Sequence, residues 1–227
     1  MSSSGDRELK SVYNGIADSY DRANSIISFY QDNRWRLELV KMLLALKIPR
    51  NALDVGAGKG ELSEILRCVS PATEIVMVDY AEDMVRSSSV SENRVIASFT
   101  HLPFREGSFD TVMSSFALHA ADDISTVVSE MARVSRNTVG VIAMGKPDNA
   151  IFRIIDGFYL HYIQANLAAL AGANPQHYKY IYSIFNRNPV NSEIKRRILE
   201  YIDLVTFRKK ALDAFYIFTG FKRLLLQ

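Results

Sequence analysis

The chain has 227 residues, of which 48% are hydrophobic, and its 27 basic and 25 acidic side chains leave a formal net charge of +2. A chain of this length can bury one full core, whereas two separate domains would both be small. The near balance of charge excludes the broad basic surface that nucleic-acid binding requires, so no nucleic-acid partner is expected.

The ends and the cysteine content indicate the compartment. The first residues, MSSSGDRELK, lack the apolar run of a signal peptide, and no window reaches about eighteen apolar residues. We therefore expect a cytoplasmic protein with at most peripheral membrane contact. The single cysteine, Cys68, cannot form an internal disulfide, which agrees with a reducing compartment. We expect it to be a small core side chain.

Helices are predicted for the amino-terminal region, from Arg7 to Ile48, with breaks near 21–24 and 31–33 and a stop at Pro49. Between Trp35 and Leu46 the apolar residues stand at 35, 39, 42, 43 and 46, which is one face of a helix. We expect this face to pack on the sheet that follows.

A glycine-rich turn comes next, in the stretch LDVGAGKGELS. Asn51 to Val55 predicts a buried strand, and apolar residues at 62, 65, 66 and 69 predict a helix from Gly60 to Val69. The glycines at 56, 58 and 60 lack Cβ atoms, so the turn can adopt positive φ and a ligand can lie against its backbone. The free amides of the helix N-terminus would lie beside that ligand.

Asp54 distinguishes between two kinds of ligand. The dinucleotide fingerprint is G-x-G-x-x-G with pyrophosphate at the helix N-terminus, whereas the order here is Asp54-x-Gly56-x-Gly58-x-Gly60. A carboxylate two residues before the first glycine would repel pyrophosphate. It suits a cofactor that carries an ammonium group and a sulfonium.

A second carboxylate ends the next predicted strand, Glu74 to Asp79. An acidic side chain at the carboxyl end of this strand can accept hydrogen bonds from both hydroxyls of a ribose. The alternative for Asp79 is to cap the following helix, predicted from Glu82 to Ser89. Tyr80 and Met84 are placed to flank an adenine, although Met84 also suits a core position.

The rest of the chain alternates strands with helices, which predicts an α/β fold with a doubly wound parallel sheet. From 151 to 201 the composition shifts to aromatic helices, which we interpret as an insertion before a final hairpin with its turn at Leu212 and Asp213. The remaining predicted elements are strands Arg94 to Ser98, Phe109 to Ser115, Thr138 to Met144, Leu204 to Lys209 and Ala214 to Gly220, and a helix from Ile124 to Val134.

The motif D-x-G-x-G-x-G and the pattern L-P-F-x-x-x-x-F-D from Leu102 to Asp110 resemble two motifs of the class I S-adenosylmethionine (SAM) dependent methyltransferases. The resemblance implies a Rossmann-like seven-stranded sheet whose last hairpin is antiparallel, SAM as cofactor and S-adenosylhomocysteine as product. Ser98 stands where such enzymes often have a carboxylate or amide on the adenine, so the backbone around Phe99 is expected to serve there. The implied cofactor site consists of Asp54, Gly56, Ala57, Gly58, Gly60, Asp79, Tyr80, Met84, Ser98, Phe99 and Ser115.

A narrower resemblance lies in YDRANSIISFYQDNRW, from Tyr20 to Trp35, which is similar to a signature of the ubiquinone/menaquinone biosynthesis C-methyltransferases. Ala23 and Asp32 depart from it, where that family has Met and His. In such enzymes the amino-terminal helices cover the cofactor, which implies that Tyr20 reaches the methionine end of SAM. Tyr178 to Leu199 is similar to a second family segment, with Asn188 in place of its His. The acceptor-binding candidates are Trp35, which suits a core position equally well, Tyr162, His177 and Tyr178.

The loop after the fourth strand reads S-F-A-L-H-A, from Ser115 to Ala120, where these C-methyltransferases usually have S-F-G-L-R-N. A quinol ring must lose a phenolic proton before it is methylated on carbon, and His119 is the candidate base because imidazole takes up a proton near neutral pH. A histidine that lines the pocket without titrating is the alternative. No pair of histidines has metal-ligand spacing, so no metal is expected.

The sequence therefore predicts a SAM-dependent methyltransferase for a small, largely apolar acceptor, with C-methylation of a quinol-type ring as the leading hypothesis. A small-molecule O- or N-methyltransferase and a non-catalytic SAM-binding module are the alternatives. We expect one domain with four parts: a helical lid at 1–50, a SAM-binding core at 51–150, a helical substrate insertion at 151–201 and a hairpin at 202–227. A homodimer is left open, and the acceptor itself is not specified.

Overall fold

The computed structural model describes residues 31–88, 90, 92–170 and 175–223, without the side chains of 165, 168, 170 and 175–180. Within these ranges, seven strands form one sheet in the order β3-β2-β1-β4-β5-β7-β6. Strands β1 to β5 pair in parallel, and β7 lies antiparallel between β5 and β6. The strands are β1 (Asn51–Val55), β2 (Glu74–Asp79), β3 (Asn93–Ile96), β4 (Phe109–Ser115), β5 (Ser135–Met144), β6 (Ile202–Lys210) and β7 (Phe215–Lys222).

The described helices fall into a set that connects the strands and a set between β5 and β6. The connecting helices are α1 (Asp32–Leu46), α2 (Glu61–Val69), α3 (Glu82–Arg86) and α4 (Ile124–Val134). The helices between β5 and β6 are α5 (Ala150–Phe158), a π-helical turn (Tyr159–Ile163), α6 (Gln164–Leu170), α7 (Pro175–Arg187) and α8 (Asn191–Ile198). The doubly wound α/β fold with an antiparallel final hairpin is thus confirmed.

Two apolar cores lie on opposite faces of the sheet because successive strand residues point to opposite sides. On one face α4 and α8 pack against Leu53, Val112 and Phe218. On the other face α1 and α2 pack against the neighbouring strand positions, among them Ala52 and Met113. The strand order reverses between β1 and β4, and this is where a doubly wound sheet leaves a crevice at its carboxyl ends.

The predicted bounds of β1, β2, β4 and α4 agree with the structure, while β5 begins three residues earlier than predicted, at Ser135. α4 passes into β5 without an intervening loop. Arg136 Nη1 bonds Asp110 Oδ1 at 2.7 Å, and Ser135 pairs with Phe109 ahead of a bulge in β4. These tertiary contacts extend the strand beyond its apolar part. The other shifted elements are β3, α3, β6 and β7, whose predicted bounds were 94–98, 82–89, 204–209 and 214–220.

One burial prediction was wrong. Cys68 is exposed, because α2 turns Leu62, Ser63 and Leu66 inward instead. The predicted face of α1 does pack on the sheet, with Leu39 and Leu43 buried and Trp35 and Met42 partly buried against the core. Asp32 and Arg36 are buried as well, which the sequence did not predict.

Candidate functional site

The glycine turn between β1 and α2 forms one wall of the site. Gly56, Gly58 and Gly60 have φ angles of 67°, 55° and 94°, in the left-handed region that residues with a Cβ disfavour. A Cβ on Gly56 would overlap the Cβ of Ala117. The turn and the loop after β4 therefore touch with no room for a side chain between them.

Asp79, at the end of β2, is held by the backbone of both adjoining turns. Its Oδ2 accepts the Gly58 amide at 2.8 Å and its Oδ1 accepts the Ala81 amide at 2.8 Å. The Gly56 amide bonds the neighbouring Val78 carbonyl, also at 2.8 Å. Burial raises the pKa of Asp79 above its usual value, although the amide bonds work against the rise. The carboxylate is thus fixed in position before any ligand arrives.

Asp54 lies behind the turn and is fully buried. Its Oδ2 accepts a hydrogen bond from Ser63 Oγ at 2.7 Å, whereas Oδ1 has no partner among the described residues. Burial raises the pKa of Asp54 to about 7; the hydrogen bond from Ser63 and the charge of Arg36 oppose the rise, and the charges of Glu61 and Asp79 add to it. A cation close to Oδ1 would favour the ionised form.

Arg36 of α1 is a buried cation that sequence reasoning missed. Its Nη1 donates to Asp32 Oδ2 and to Asn33 Oδ1, both at 3.0 Å, and its Nε donates to Ser115 Oγ at 3.3 Å. The guanidinium carbon lies 5.0 Å from the centroid of the Phe116 ring. The Asp32-to-Arg36 spacing of an i,i+4 ion pair is the sequence signal that could have found it.

These elements line a cavity at the carboxyl ends of β1, β2 and β4, which is where a doubly wound sheet binds its ligands. Eight of the predicted cofactor residues line it: Gly56, Ala57, Gly58, Asp79, Tyr80, Met84, Phe99 and Ser115. The residues that the sequence reasoning did not assign to it are Arg36, Glu61, Ala81, Phe116, Ala117 and Ala120.

Three predicted cofactor residues lie outside the lining of this cavity. Asp54 and Gly60 stand behind the turn, where a Cβ on Gly60 would crowd Met77. Ser98 Oγ lies 2.8 Å from Thr100 Oγ1. Asp54 can therefore affect a ligand in the cavity through its charge but cannot contact it directly. Tyr20 falls outside the described residues.

His119 lies in a short 3₁₀ helix (Leu118–Ala120) after β4 and is buried. Its neighbour Ala120 lines the cavity, and the imidazole does not. Asn188 Nδ2 bonds the His119 carbonyl at 2.8 Å, while Nδ1 has no partner among the described residues. Burial lowers the pKa of His119 to about 4, so the ring is neutral at pH 7 and is a weak base unless an anion lies close to it. Its role as base stays a prediction.

Of the acceptor candidates whose side chains are described, neither Trp35 nor Tyr162 lines the cofactor cavity. The Trp35 ring packs on Phe215, with the ring centroids 5.0 Å apart. Tyr162 is exposed and packs on Phe158, also at 5.0 Å. Their proposed contacts with an acceptor stay predictions. His177 and Tyr178 belong to α7, but their side chains are outside the described set.

A sheet of this order, with a glycine turn after β1 and a held carboxylate after β2, defines the class of Rossmann-like SAM-dependent methyltransferases. Solved structures of that class share the fold. A SAM-dependent methyltransferase from Thermotoga maritima superposes with a TM-score of 0.66 at 16% identity, over 93% of this chain and 99% of its own. The N-methyltransferase NodS from Bradyrhizobium japonicum, in complex with S-adenosylhomocysteine, gives 0.56 at 11%, over 86% and 87%.

The family follows from sequence similarity. The model of the ubiE/COQ5 methyltransferase family matches residues 1–212, and the chain belongs to this family. A demethylmenaquinone methyltransferase from Roseiflexus sp. (strain RS-1) is 30% identical over 224 residues, which is 95% of this chain and 93% of the relative. One from Staphylococcus aureus (strain Newman) is 26% identical over 202 residues, 85% and 83% of the two chains. The predicted recognition and enzyme class are therefore confirmed.

Two further findings concern the described part of the chain. It contains no helix that is long and apolar enough to span a bilayer. Its His, Cys, Asp and Glu side chains form no group of three or more that could hold a metal ion.

Proposed function

We propose that this chain transfers the methyl group of SAM to a ring carbon of a demethylated quinol. The family match and the relatives named demethylmenaquinone methyltransferase support the acceptor class. The charge pattern of the cavity supports the cofactor, and this pattern is the observation that carries the proposal.

Glu61 and Asp79 line the cavity and Asp54 lies behind it, together with the buried guanidinium of Arg36. These acidic side chains disfavour a phosphate-bearing cofactor in a site of low dielectric. SAM carries an ammonium, a carboxylate and a ribose diol, and each of these three groups has a counterpart here. When bound, SAM supplies a methyl group already activated by its sulfonium.

The place of each residue in the site indicates which group of SAM it would bind. Asp79, oriented by two amides, would accept hydrogen bonds from the ribose hydroxyls. Asp54 Oδ1, which lacks a partner among the described residues, would favour the ammonium group from behind the turn. Arg36 would bind the carboxylate, and Met84 and Phe99 would enclose the adenine.

Acceptor activation is assigned to His119. Its unpartnered Nδ1 would take the phenolic proton, after which the ring carbon becomes the nucleophile. After methyl transfer the hydrogen on that carbon would leave to solvent as a proton, which restores the aromatic quinol. Because burial opposes a charged imidazole, the proton transfer to His119 would be favourable only while the ring oxyanion lies close enough to stabilise the imidazolium.

A small-molecule O- or N-methyltransferase remains the second candidate. The observation that favours it is the loop Ser115 to Ala120, in which the Arg and Asn usual in quinone C-methyltransferases are replaced by His119 and Ala120. An acceptor with a more reactive oxygen or nitrogen requires less help from a base.

Two measurements test the proposal in sequence. Calorimetry should show binding of SAM and of S-adenosylhomocysteine but not of ATP or a dinucleotide; no SAM binding would refute the cofactor assignment. Methyl-labelled SAM is then incubated with the protein and either a short-chain demethylated naphthoquinol or a panel of amines and phenols. We expect label in the naphthoquinol. Label only in the panel supports the second candidate, and binding without transfer indicates a SAM-binding module.

A further inference from the structure

The helix that follows β5 carries an apolar stripe on its outer surface, composed of Ile151, Ile154, Ile155, Phe158 and Tyr162. These positions are three or four residues apart and so share one face of the helix. All five side chains are exposed, with Ile154 at 71% and Phe158 at 56%. Leu160, in the π-helical turn that follows α5, is buried, whereas the apolar side chains of the stripe face outward.

Two cations border this apolar stripe. Lys146 and Arg153 line an open groove together with Ile154, Phe158 and Tyr162. Lys146 Nζ donates to the carbonyls of Asn186 and Asn188, at 2.9 and 3.1 Å.

Arg153 Nη1 donates to the carbonyls of Pro147 and Asp148, at 3.1 and 3.4 Å. Across the stretches that the structure describes, no carboxylate pairs with Lys146 or Arg153. Burial and the charge of Arg153 lower the pKa of Lys146, which indicates that the two cations repel each other.

The apolar stripe and the two cations beside it together favour one kind of binding partner. Exposed aliphatic and aromatic side chains gain free energy on entering an acyl environment, and uncompensated cations at the border of such a face attract anionic headgroups. A second copy of this chain packed symmetrically on this stripe would add two more cations to its border and no anion to pair with them. The described residues lack a bilayer-spanning helix, so contact through this face would be peripheral.

We propose that the apolar stripe and its two cations form a docking surface for an anionic phospholipid membrane. This inference goes beyond the proposed reaction and does not depend on it. The stripe lies on a helix between β5 and β6, whereas the cofactor cavity lies at the ends of β1, β2 and β4. Membrane contact and SAM binding can therefore be broken separately.

The test is co-sedimentation of the full chain with vesicles of phosphatidylcholine alone or mixed with phosphatidylglycerol. We expect binding to the mixed vesicles that weakens with salt, and much weaker binding to phosphatidylcholine. The double variant Ile154→Glu/Phe158→Glu should bind the mixed vesicles at least about tenfold more weakly. Arg153→Glu should lose the preference for anionic lipid.

Matched controls place the same changes elsewhere. Ile48 is 74% exposed and Val205 54% exposed, and Ile48→Glu/Val205→Glu should bind vesicles as the parent does. Arg105→Glu should also be neutral. SAM affinity measured on every variant reports that the protein is folded.

Three results would overturn the docking surface: no binding of the parent protein to mixed vesicles, equal binding by the stripe variant, or stripe-dependent dimerisation without vesicle binding. Vesicle binding by a protein that transfers no methyl group would refute the proposed reaction and leave the docking surface standing.

Discussion

The cofactor cavity and the helices between β5 and β6 satisfy their side chains differently. In the cavity, Asp79 accepts two amides and Arg36 donates to three side chains before any ligand is present. In α5 no residue is buried. Asp156 Oδ2 and Gln164 Oε1 are buried without a partner among the described residues.

The difference is one of preorganisation. Asp79 and Arg36 are held in place in the cavity, although Asp54 Oδ1 behind it lacks a partner among the described residues, whereas the outer face of α5 is exposed. A site for a ligand of fixed shape and charge can be preorganised, which lowers the cost of binding. A surface that meets a bulky apolar molecule or a bilayer keeps its apolar groups exposed until that contact forms. The cofactor cavity should therefore respond sharply to small changes, and substitutions on the exposed face of α5 should leave SAM binding unchanged.

The largest effect should come from the turn itself. Gly56→Val places a β-branched side chain at a φ of 67° and against Ala117. We expect SAM affinity to fall about a thousandfold, because the wall of the cavity must move. Gly107 is the matched control, since its φ is 61° and a Cβ there would meet nothing within 4 Å. Calorimetry on Gly107→Val should show parental affinity; a Gly56 variant that binds normally would show that the turn does not form the site.

Substitution of His119 tests whether its imidazole is the base that activates the acceptor. His119→Ala should lower kcat about 100-fold and leave SAM affinity unchanged, because the imidazole does not line the cofactor cavity. The control is His101→Ala, which removes an exposed imidazole. Unchanged turnover in the His119 variant would dismiss the base, and an equal loss in kcat and in SAM affinity would indicate a structural role.

Substitution of Arg36 tests its proposed contact with the carboxylate of SAM, which the sequence reasoning missed. The parent protein should bind SAM more tightly than decarboxylated SAM. Arg36→Met should bind SAM about tenfold more weakly and decarboxylated SAM as tightly as before, so that the preference is lost. Because Asp32 then lacks its ion pair, the double variant Asp32→Asn/Arg36→Met checks that the loss is not due to misfolding. Arg34→Met, on the exposed side of α1, should change nothing. Parallel losses for both cofactors would contradict the assignment.

The smallest effect is a pH dependence. The pKa of Asp54 is raised from 3.8 to about 7 in the folded protein, so its contribution to stability is complete below pH 3.8 and is lost as the pH rises through about 7. Cationic SAM favours the ionised carboxylate, and its affinity should rise several-fold over the same upper range. Asp54→Asn should flatten the pH dependence of stability, measured by urea unfolding, and the pH dependence of SAM affinity, measured by calorimetry. Since burial also raises the pKa of Asp156 to about 7, Asp156→Asn is the control; it should leave the affinity profile intact.

Much of the cofactor side could be predicted from sequence because its signals are local. Alternate glycines, apolar runs ended by Asp79 and a helical period in 124–134 each define an element without reference to the rest of the chain. The class of SAM-dependent methyltransferases followed from the glycine motif, and the narrower family resemblance from Tyr20 to Trp35 and Tyr178 to Leu199.

The remaining features depend on tertiary contacts. Hydropathy places Arg36 in solvent, and only its pairing with Asp32 and Ser115 allows it to be buried. Cys68 suits a core position by composition but stands on the outer side of α2. Periodicity in α5 shows that Ile151, Ile154 and Phe158 share a face, and it cannot show whether that face is covered.

The most direct test of the central claim is the chemical position of the transferred methyl group. SAM with a carbon-13 methyl group is incubated with the protein and a short-chain demethylated naphthoquinol, and the product is analysed by NMR. The account predicts a methyl carbon bonded to a ring carbon. A methyl group on the quinol oxygen, or no labelled product from a protein that binds SAM, would contradict it.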